Sequence, residues 1–102
     1  MEMFNKLVRD KIPQIIERQG KVPMIRILDD DEYVRLLEAK LDEEVGEYHR
    51  DKNAEELADI LEVVFALAES IGCSRENLME TCQRKHEARG GFRDRIFLIS
   101  KQ

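Results

Sequence analysis

The amino-acid sequence predicts an all-α fold, with one domain over residues 1–102 built as a bundle on a helical hairpin. A chain of 102 residues fits a single domain with a small core. Hydrophobic residues make up 42% and charged residues 38%, which is typical of a globular, helix-rich protein rather than a disordered one. Apolar residues recur at helical spacing in two long neighbouring stretches. Because so small a core leaves apolar surface uncovered, we expect oligomerisation to complete the bundle.

The first predicted helix lies in the stretch MFNKLVRDKIPQIIERQG. Asp10 is expected to cap it, Pro13 falls in its tolerated first turn, and Gly20 ends it. The following stretch, VPMIRIL, is short and β-branched. Residues 22–28 are therefore expected to form an extended segment or one edge strand.

Two long helices are predicted to form the hairpin. Asp29 or Asp30 in the run DDDE is expected to cap the first, because the acids then lie in its positively polarised first turn. Helical spacing continues from Asp31 to about His49. The polar stretch RDKN then predicts a tight connection, and the second long helix is expected from Ala54 to about Ser70.

The last predicted helix runs from about Ser74 to Arg89, between the break IGCS and the glycine pair GG. The closing stretch RIFLIS is expected to be extended or strand-like over residues 95–99. No internal repeat and no linker divides the sequence, which agrees with a single domain.

Charge and cysteine usage exclude several classes of partner. The net charge of -5 argues against a nonspecific nucleic-acid binder, because phosphate backbones are gripped by a surplus of Lys and Arg. No apolar run reaches the length of a membrane span, so no membrane partner is expected. Cys73 and Cys82 lack CxxC spacing and follow no secretory segment, so we expect reduced thiols in a cytoplasmic protein.

Two acids on the first long helix occupy an unusual position. Each residue advances a helix by about 100°, so Glu44 falls inside the apolar stripe and Glu47 lies about 60° further round. The stripe consists of Val34, Leu37, Leu41, Val45 and Tyr48. An ionised carboxylate buried without a partner is too costly to persist. Glu44 therefore requires a cation or a proton.

Two acids on the second long helix also differ from their neighbours. Glu56 and Asp59 lie near Val63, at the edge of the apolar face, which is made of Leu57, Ile60, Leu61, Val64, Leu67 and Ala68. The other glutamates of this helix point to the opposite, solvated side: Glu55, Glu62 and Glu69. A structural alternative exists, since Asn53 and Glu56 have the spacing of a capping box and Asp59 lies near a positive helix N-terminus.

The four acids are expected to converge. In an antiparallel hairpin that turns within RDKN, Glu44 and Asp59 lie at equal distances from the turn, as do Glu47 and Glu56. The two layers are about 4.5 Å apart, the rise of three helical residues. Such a cluster repels itself unless a hard divalent ion lies inside, and oxygen ligands favour Mg²⁺, or alternatively Mn²⁺, over Zn²⁺. Because Mg²⁺ commonly binds phosphate oxygens as well, the cluster predicts phosphate chemistry.

Two basic groups accompany the acids. Lys85 and Arg89 on the last helix share a face with Leu78 and Cys82. They either reach a phosphate chain or extend over the edge of the core with their charged ends in water. A second basic group lies near the N-terminus: Lys6, Arg9 and Lys11. Surface salt bridges are the default explanation for this group, and phosphate contact is the alternative.

The motif EEVGE followed by ELAD resembles the EExxE…ExxD signature of the all-α nucleoside triphosphate pyrophosphohydrolases, the MazG-like group. The stretches NKLVRDKIPQII and KHEARGGF are similar to its small house-cleaning or phosphoribosyl-ATP pyrophosphohydrolase-like branch. The resemblance extends from Asn5 to about Leu98. Only eight residues separate Glu47 from Glu56, fewer than in many members, which leaves less room for a loop that covers a substrate.

The resemblance implies a Mg²⁺-dependent hydrolase that cleaves a nucleoside triphosphate between the α and β phosphates, giving a monophosphate and pyrophosphate. House-cleaning of noncanonical nucleotides would be one role. The implied metal ligands are Glu44, Glu47, Glu56 and Asp59. Glu43, Glu44 and Glu47 would be catalytic, with Glu43 positioning a water or supporting the ligands. Lys85 and Arg89 would contact phosphates, and the assembly would be a homodimer or homotetramer.

Two other functions fit the same residues. The same chemistry on phosphoribosyl-ATP would serve histidine synthesis. Alternatively, the chain is a non-catalytic helical module that binds a partner through its apolar stripes, and its acids are a solvated surface.

Overall fold

The computed structural model describes residues 2–102 and contains four α-helices and no strand within that range. The helices are α1 (Ile12–Arg18), α2 (Asp30–Asp51), α3 (Ala54–Ser70) and α4 (Arg75–Arg89). The all-α prediction is confirmed. None of these helices is long and apolar enough to cross a membrane.

Helix α1 begins two residues later than the position of its predicted cap. Lys11 is the N-cap and no side chain caps the helix, so the prediction that Asp10 would do so was wrong. Pro13 lies in the first turn, where its missing N–H costs nothing, and Gly20 follows the end with a φ of 79°. This helix does not pack against the other three.

Helices α2 and α3 form the predicted hairpin through a very short connection. The Asp29 carboxylate accepts the Glu32 backbone N–H at 2.9 Å, which caps α2. Helix α2 runs two residues past its predicted end, and Lys52 then adopts a left-handed conformation with a φ of 49° and donates its N–H to the Tyr48 carbonyl. Asn53 caps α3 in turn. The two helices are therefore antiparallel neighbours.

Helix α4 packs only against α3. Ser74 Oγ accepts the Asn77 backbone N–H at 3.1 Å and starts the helix, and Gly90, with a φ of 79°, ends it. Both cysteines are free thiols, as predicted.

The buried apolar core within residues 2–102 is small: Leu37, Val63 and Ala68. The radius of gyration is 17.9 Å, and the molecule measures 61 × 32 × 23 Å. A compact chain of this length has a radius of gyration of about 13 Å. The single chain is therefore elongated and leaves much of its apolar surface uncovered.

The two segments expected to be extended or strand-like contain no strand. In residues 22–28 and 95–99 most large apolar side chains are exposed, with Met24 and Ile99 at 90% and 89%. Their β-branched composition favours a strand only where a neighbouring strand can pair, and no strand is present in residues 2–102. The strand alternative was wrong for both segments.

Candidate metal centre

Four carboxylates meet between α2 and α3, close to the turn of the hairpin. Glu44 and Glu47 lie on α2, and Glu56 and Asp59 lie on α3. One carboxyl oxygen from each residue lies within 4.8 Å of one oxygen from every other. These are the four residues whose positions relative to the turn predicted convergence. We call them the acid cluster.

The acid cluster is the one group in residues 2–102 in which three or more potential metal ligands come this close. Its donors are all oxygens, which suits a hard divalent cation. At a Mg–O distance of about 2.1 Å, ligands on opposite sides of the ion are about 4.2 Å apart. The observed spread of 4.8 Å is close to this distance, so the four oxygens lie near the spacing that one ion requires. The residues fit the predicted Mg²⁺.

Glu44 is the most buried charged residue of the described chain, with 7% of its surface exposed. Its Oε2 atom and the Oε2 atom of Glu56 are both buried, and neither has a hydrogen-bond partner. A buried polar atom without a partner costs free energy, and an ionised one costs more. Two buried carboxylate oxygens thus lack a partner, and a bound cation or a proton would provide one.

The pKa values of Glu44 and Glu56 are both raised by their surroundings. Burial is the main cause for Glu44, and the negative charge of Glu47 adds to it. Burial and the same neighbour also raise the pKa of Glu56 above its ordinary value of 4.5. Glu47 therefore acts on both residues, one on its own helix and one across the hairpin. Glu44 and Glu56 therefore resist ionisation beside Glu47.

Cations lie around the cluster, but they neutralise only its edge. Lys40 Nζ lies 3.6 Å from Glu44 Oε1, and Arg9 Nη2 donates a hydrogen bond of 2.6 Å to Asp59 Oδ1. The two Oε2 atoms that have no partner belong to the interior. Positive charge thus reaches the outer oxygens of the cluster and leaves the inner ones uncompensated.

The capping alternative for Glu56 accounts for its backbone and leaves its side chain unexplained. The Asn53 side chain accepts the Glu56 backbone N–H at 3.0 Å, which is half of a capping box. Within residues 2–102, the Glu56 carboxylate returns no hydrogen bond to Asn53, and its Oε2 atom is buried without a partner. The Glu56 side chain therefore belongs to the acid cluster and does not cap the helix.

Glu43 lies next to the cluster without joining it. Its carboxylate contacts Lys40 Nζ at 3.4 Å and Lys6 Nζ at 3.7 Å, and its side chain is partly exposed. Its predicted role in positioning a water stays a prediction.

The structure does not bring Lys85 and Arg89 to the acid cluster. Both are exposed on α4, and neither makes an ion pair within the described residues. Helix α4 contacts the opposite end of α3, where Leu78 lies beside Ala68 and Leu67. Their phosphate contacts stay a prediction drawn from the resemblance.

The covered face of α3 is rotated relative to the prediction. Val63 is buried, whereas Leu57 and Leu61, expected in the apolar face, are 47% and 51% exposed. Packing against α2 centres on the side that also carries Glu56, so this acid lies closer to the middle of the interface than the sequence indicated. Helical spacing identifies apolar residues but does not say which of them a neighbour covers.

Arg9 is the feature of the site that sequence reasoning missed. It lies fifty residues before Asp59, and no local pattern links the two. The only available signal was the basic group of Lys6, Arg9 and Lys11, for which ordinary surface salt bridges were the default.

Comparisons with known proteins give little further information. No family model matches the chain, and no solved structure matches it. A protein of Mycolicibacterium smegmatis (strain ATCC 700084 / mc(2)155), described as an uncharacterized protein, is 60% identical over 42 residues. These residues are 41% of this chain and 43% of that relative, so less than half of either protein is covered. The match names no activity or ligand.

Proposed function

We propose that the chain is a Mg²⁺-dependent nucleoside triphosphate pyrophosphohydrolase that releases pyrophosphate by cleavage between the α and β phosphates. The observation that carries the proposal is the acid cluster, in which two buried carboxylate oxygens have no partner. Solvated surface acids do not need such burial, so a non-catalytic module with a merely soluble acidic face explains the site poorly. The resemblance of EEVGE and ELAD to the MazG-like signature supports the reaction class.

The residues have distinct roles in this proposal. Glu44, Glu47, Glu56 and Asp59 would hold the ion, with Mn²⁺ as an alternative to Mg²⁺. A bound ion would supply Lewis-acid chemistry, since it would withdraw negative charge from phosphate oxygens. Glu43 would accept a proton from the attacking water or orient it, since its partly exposed carboxylate belongs to the residue next to buried Glu44.

Loss of one ligand tests the site. Glu44→Gln and Asp59→Asn are expected to reduce Mg²⁺-dependent pyrophosphate release by about 100-fold or more, with helical content unchanged by circular dichroism. The matched control is Glu62→Gln, because Glu62 is an exposed glutamate on α3 outside the cluster. Full activity in both ligand variants would overturn the proposal.

A panel assay defines the substrate. Pyrophosphate release is measured over canonical and modified nucleoside triphosphates, with phosphoribosyl-ATP included. Preference for modified nucleotides identifies a house-cleaning enzyme, and preference for phosphoribosyl-ATP identifies the histidine-synthesis alternative. No turnover of any member, together with no Mg²⁺ binding, would favour the partner-binding module.

A homodimer or homotetramer is part of the proposal. Three buried apolar side chains are too few to support a chain of 102 residues, and the elongated shape leaves the Leu57–Leu61 stripe of α3 open. A second copy would present the same stripe, so the two could cover each other about a twofold axis. Sedimentation should show a dimer or tetramer that Leu61→Lys dissociates, and a monomeric wild-type chain would contradict this.

A further inference from the structure

The N-terminal segment places two cations across the edge of the acid cluster. Arg9 Nη2 bonds Asp59 Oδ1 of α3 at 2.6 Å, and Lys6 Nζ lies 3.7 Å from Glu43 Oε1 of α2. Residues 6–9 therefore reach both arms of the hairpin at the point where the four carboxylates meet. Within the described chain, Arg9 is the cation that pairs with an α3 residue of the acid cluster.

We propose that Arg9, supported by Lys6, is the phosphate-binding cation of this site. In the metal-free chain Arg9 neutralises Asp59. When Asp59 turns to a divalent ion, the released guanidinium binds the phosphate chain of the substrate beside it. The inference rests on the proposed function, and it names residues of the site that the resemblance did not assign.

The bonding capacity of Arg9 supports this role. A guanidinium has five N–H donors, and the Arg9 side chain makes one hydrogen bond in residues 2–102, to Asp59. Its side chain is 55% exposed, so the other donors face solvent. Planar guanidinium groups match phosphate oxygens two at a time. Arg9 therefore has free donors beside the place where a metal-bound phosphate would lie.

The exchange of partners is inexpensive. The Arg9–Asp59 pair is exposed to solvent, and such pairs contribute little to stability. Helix α1, which follows Arg9, does not pack against the other helices, so moving the segment breaks no helix–helix interface. A divalent ion attracts the Asp59 carboxylate more strongly than a single positive charge does. Metal binding thus favours release of the guanidinium at the moment when a phosphate ligand needs it.

An ordinary surface salt bridge is the competing explanation, and the chain contains a matched example. Arg26 Nη2 contacts Glu32 Oε2 at 2.6 Å, the same length as the Arg9 pair, but neither residue belongs to the acid cluster. If Arg9 forms only a surface salt bridge, Arg9→Ala should affect phosphate binding no more than Arg26→Ala does.

The test uses inorganic tripolyphosphate as the probe of phosphate binding. Calorimetry measures the affinities of wild type, Arg9→Ala, Arg9→Lys and Arg26→Ala for Mg²⁺ alone and then for tripolyphosphate in saturating Mg²⁺. Arg9→Ala should bind Mg²⁺ as well as wild type or more tightly, because a competitor for Asp59 is gone. It should bind tripolyphosphate about tenfold to hundredfold more weakly. Arg9→Lys should fall between the two, and Arg26→Ala should match wild type.

Two results would overturn the inference. One is equal tripolyphosphate affinity in Arg9→Ala and wild type. The other is weaker Mg²⁺ binding in Arg9→Ala, which would make Arg9 a support for the metal ligands. Glu44→Gln separates the two proposals, because it should lose Mg²⁺ itself. If Glu44→Gln loses Mg²⁺ and Arg9→Ala keeps full tripolyphosphate affinity, only the Arg9 role fails. If wild type binds no Mg²⁺, the proposed function and this inference fail together.

Discussion

The two ends of the α2–α3 hairpin are built from the same helices but bury opposite kinds of side chain. At the open end, Val34 of α2 faces Leu67 and Ala68 of α3 in an apolar groove. At the turn end, Glu44 and Glu56 bury carboxylate oxygens that have no partner. Burial of apolar surface stabilises a fold, whereas burial of uncompensated carboxylates opposes it.

The contrast fits the proposed metal site, since a site that awaits a cation lowers the stability of the metal-free chain. The core residues between the two ends, Leu37 and Val63, supply the packing that holds the acids in place. Functional sites commonly keep side chains that lower the stability of the fold. Mutations in the apolar part of the hairpin and in the acid cluster should therefore change stability in opposite directions.

The largest effect on stability is expected in the apolar part of the hairpin. Leu37→Ala removes a side chain that is 4% exposed, so it should lower the free energy of unfolding by about 2–4 kcal/mol. Urea denaturation followed by circular dichroism measures this change. A loss well under 1 kcal/mol would mean that the interface is not packed as described.

Glu44→Gln should have the opposite sign. The substitution keeps the size of the side chain, removes its charge and adds an amide donor near Glu47. It should raise the free energy of unfolding of the metal-free protein by about 1 kcal/mol while abolishing Mg²⁺-dependent activity. The exposed control Glu62→Gln should leave stability nearly unchanged. Destabilisation by Glu44→Gln in metal-free buffer would contradict the contrast between the two ends.

The pH dependence gives a smaller effect of defined sign. The pKa values of Glu44 and Glu56 lie above 4.5 in the folded chain, chiefly because of burial, so the folded state holds these protons more tightly than the unfolded state. Their contribution to stability is complete below pH 4.5 and is lost as the pH rises through the raised values. Metal-free protein should therefore gain stability as the pH falls from neutral toward 4.5, and Glu44→Gln should show a smaller gain.

An ion pair elsewhere provides the reference for this titration. The hydrogen bond from Arg26 lowers the pKa of Glu32, so that carboxylate stabilises the fold above 4.5 and loses its contribution at lower pH. The two effects lie on different sides of 4.5 and can be separated in one series of thermal melts. Saturating Mg²⁺ should remove the increase in stability that protonation of the acid cluster gives at lower pH. If neither Mg²⁺ nor Glu44→Gln alters that increase, its origin lies outside the cluster.

Much of the hairpin and its acid cluster could be predicted from the sequence. The capping residue Asn53 and the short polar turn fixed which helical positions face each other, and Glu44 interrupts an otherwise apolar stripe. These are local patterns that helix geometry converts directly into position. The four predicted carboxylates accordingly lie together in the fold.

Features that depend on distant partners were not predictable in this way. Arg9 reaches Asp59 across fifty residues, and the exposure of Leu61 depends on which neighbour covers it. Segments 22–28 and 95–99 have strand-like composition, yet no strand pairs with them in the described chain. In each case the sequence shows the residue, but its contacts depend on how distant parts of the chain pack.

Mg²⁺ titration of thermal stability tests the central claim most directly, because an ion that binds only the folded acid cluster must raise the free energy of unfolding. Wild-type protein should be stabilised saturably, by about 2.7 kcal/mol when Mg²⁺ reaches a hundred times its Kd, and Glu44→Gln should lose this increment while Glu62→Gln keeps it. A wild-type protein that gains no stability from Mg²⁺ or Mn²⁺, or an equal gain in Glu44→Gln, would contradict a metal site between α2 and α3.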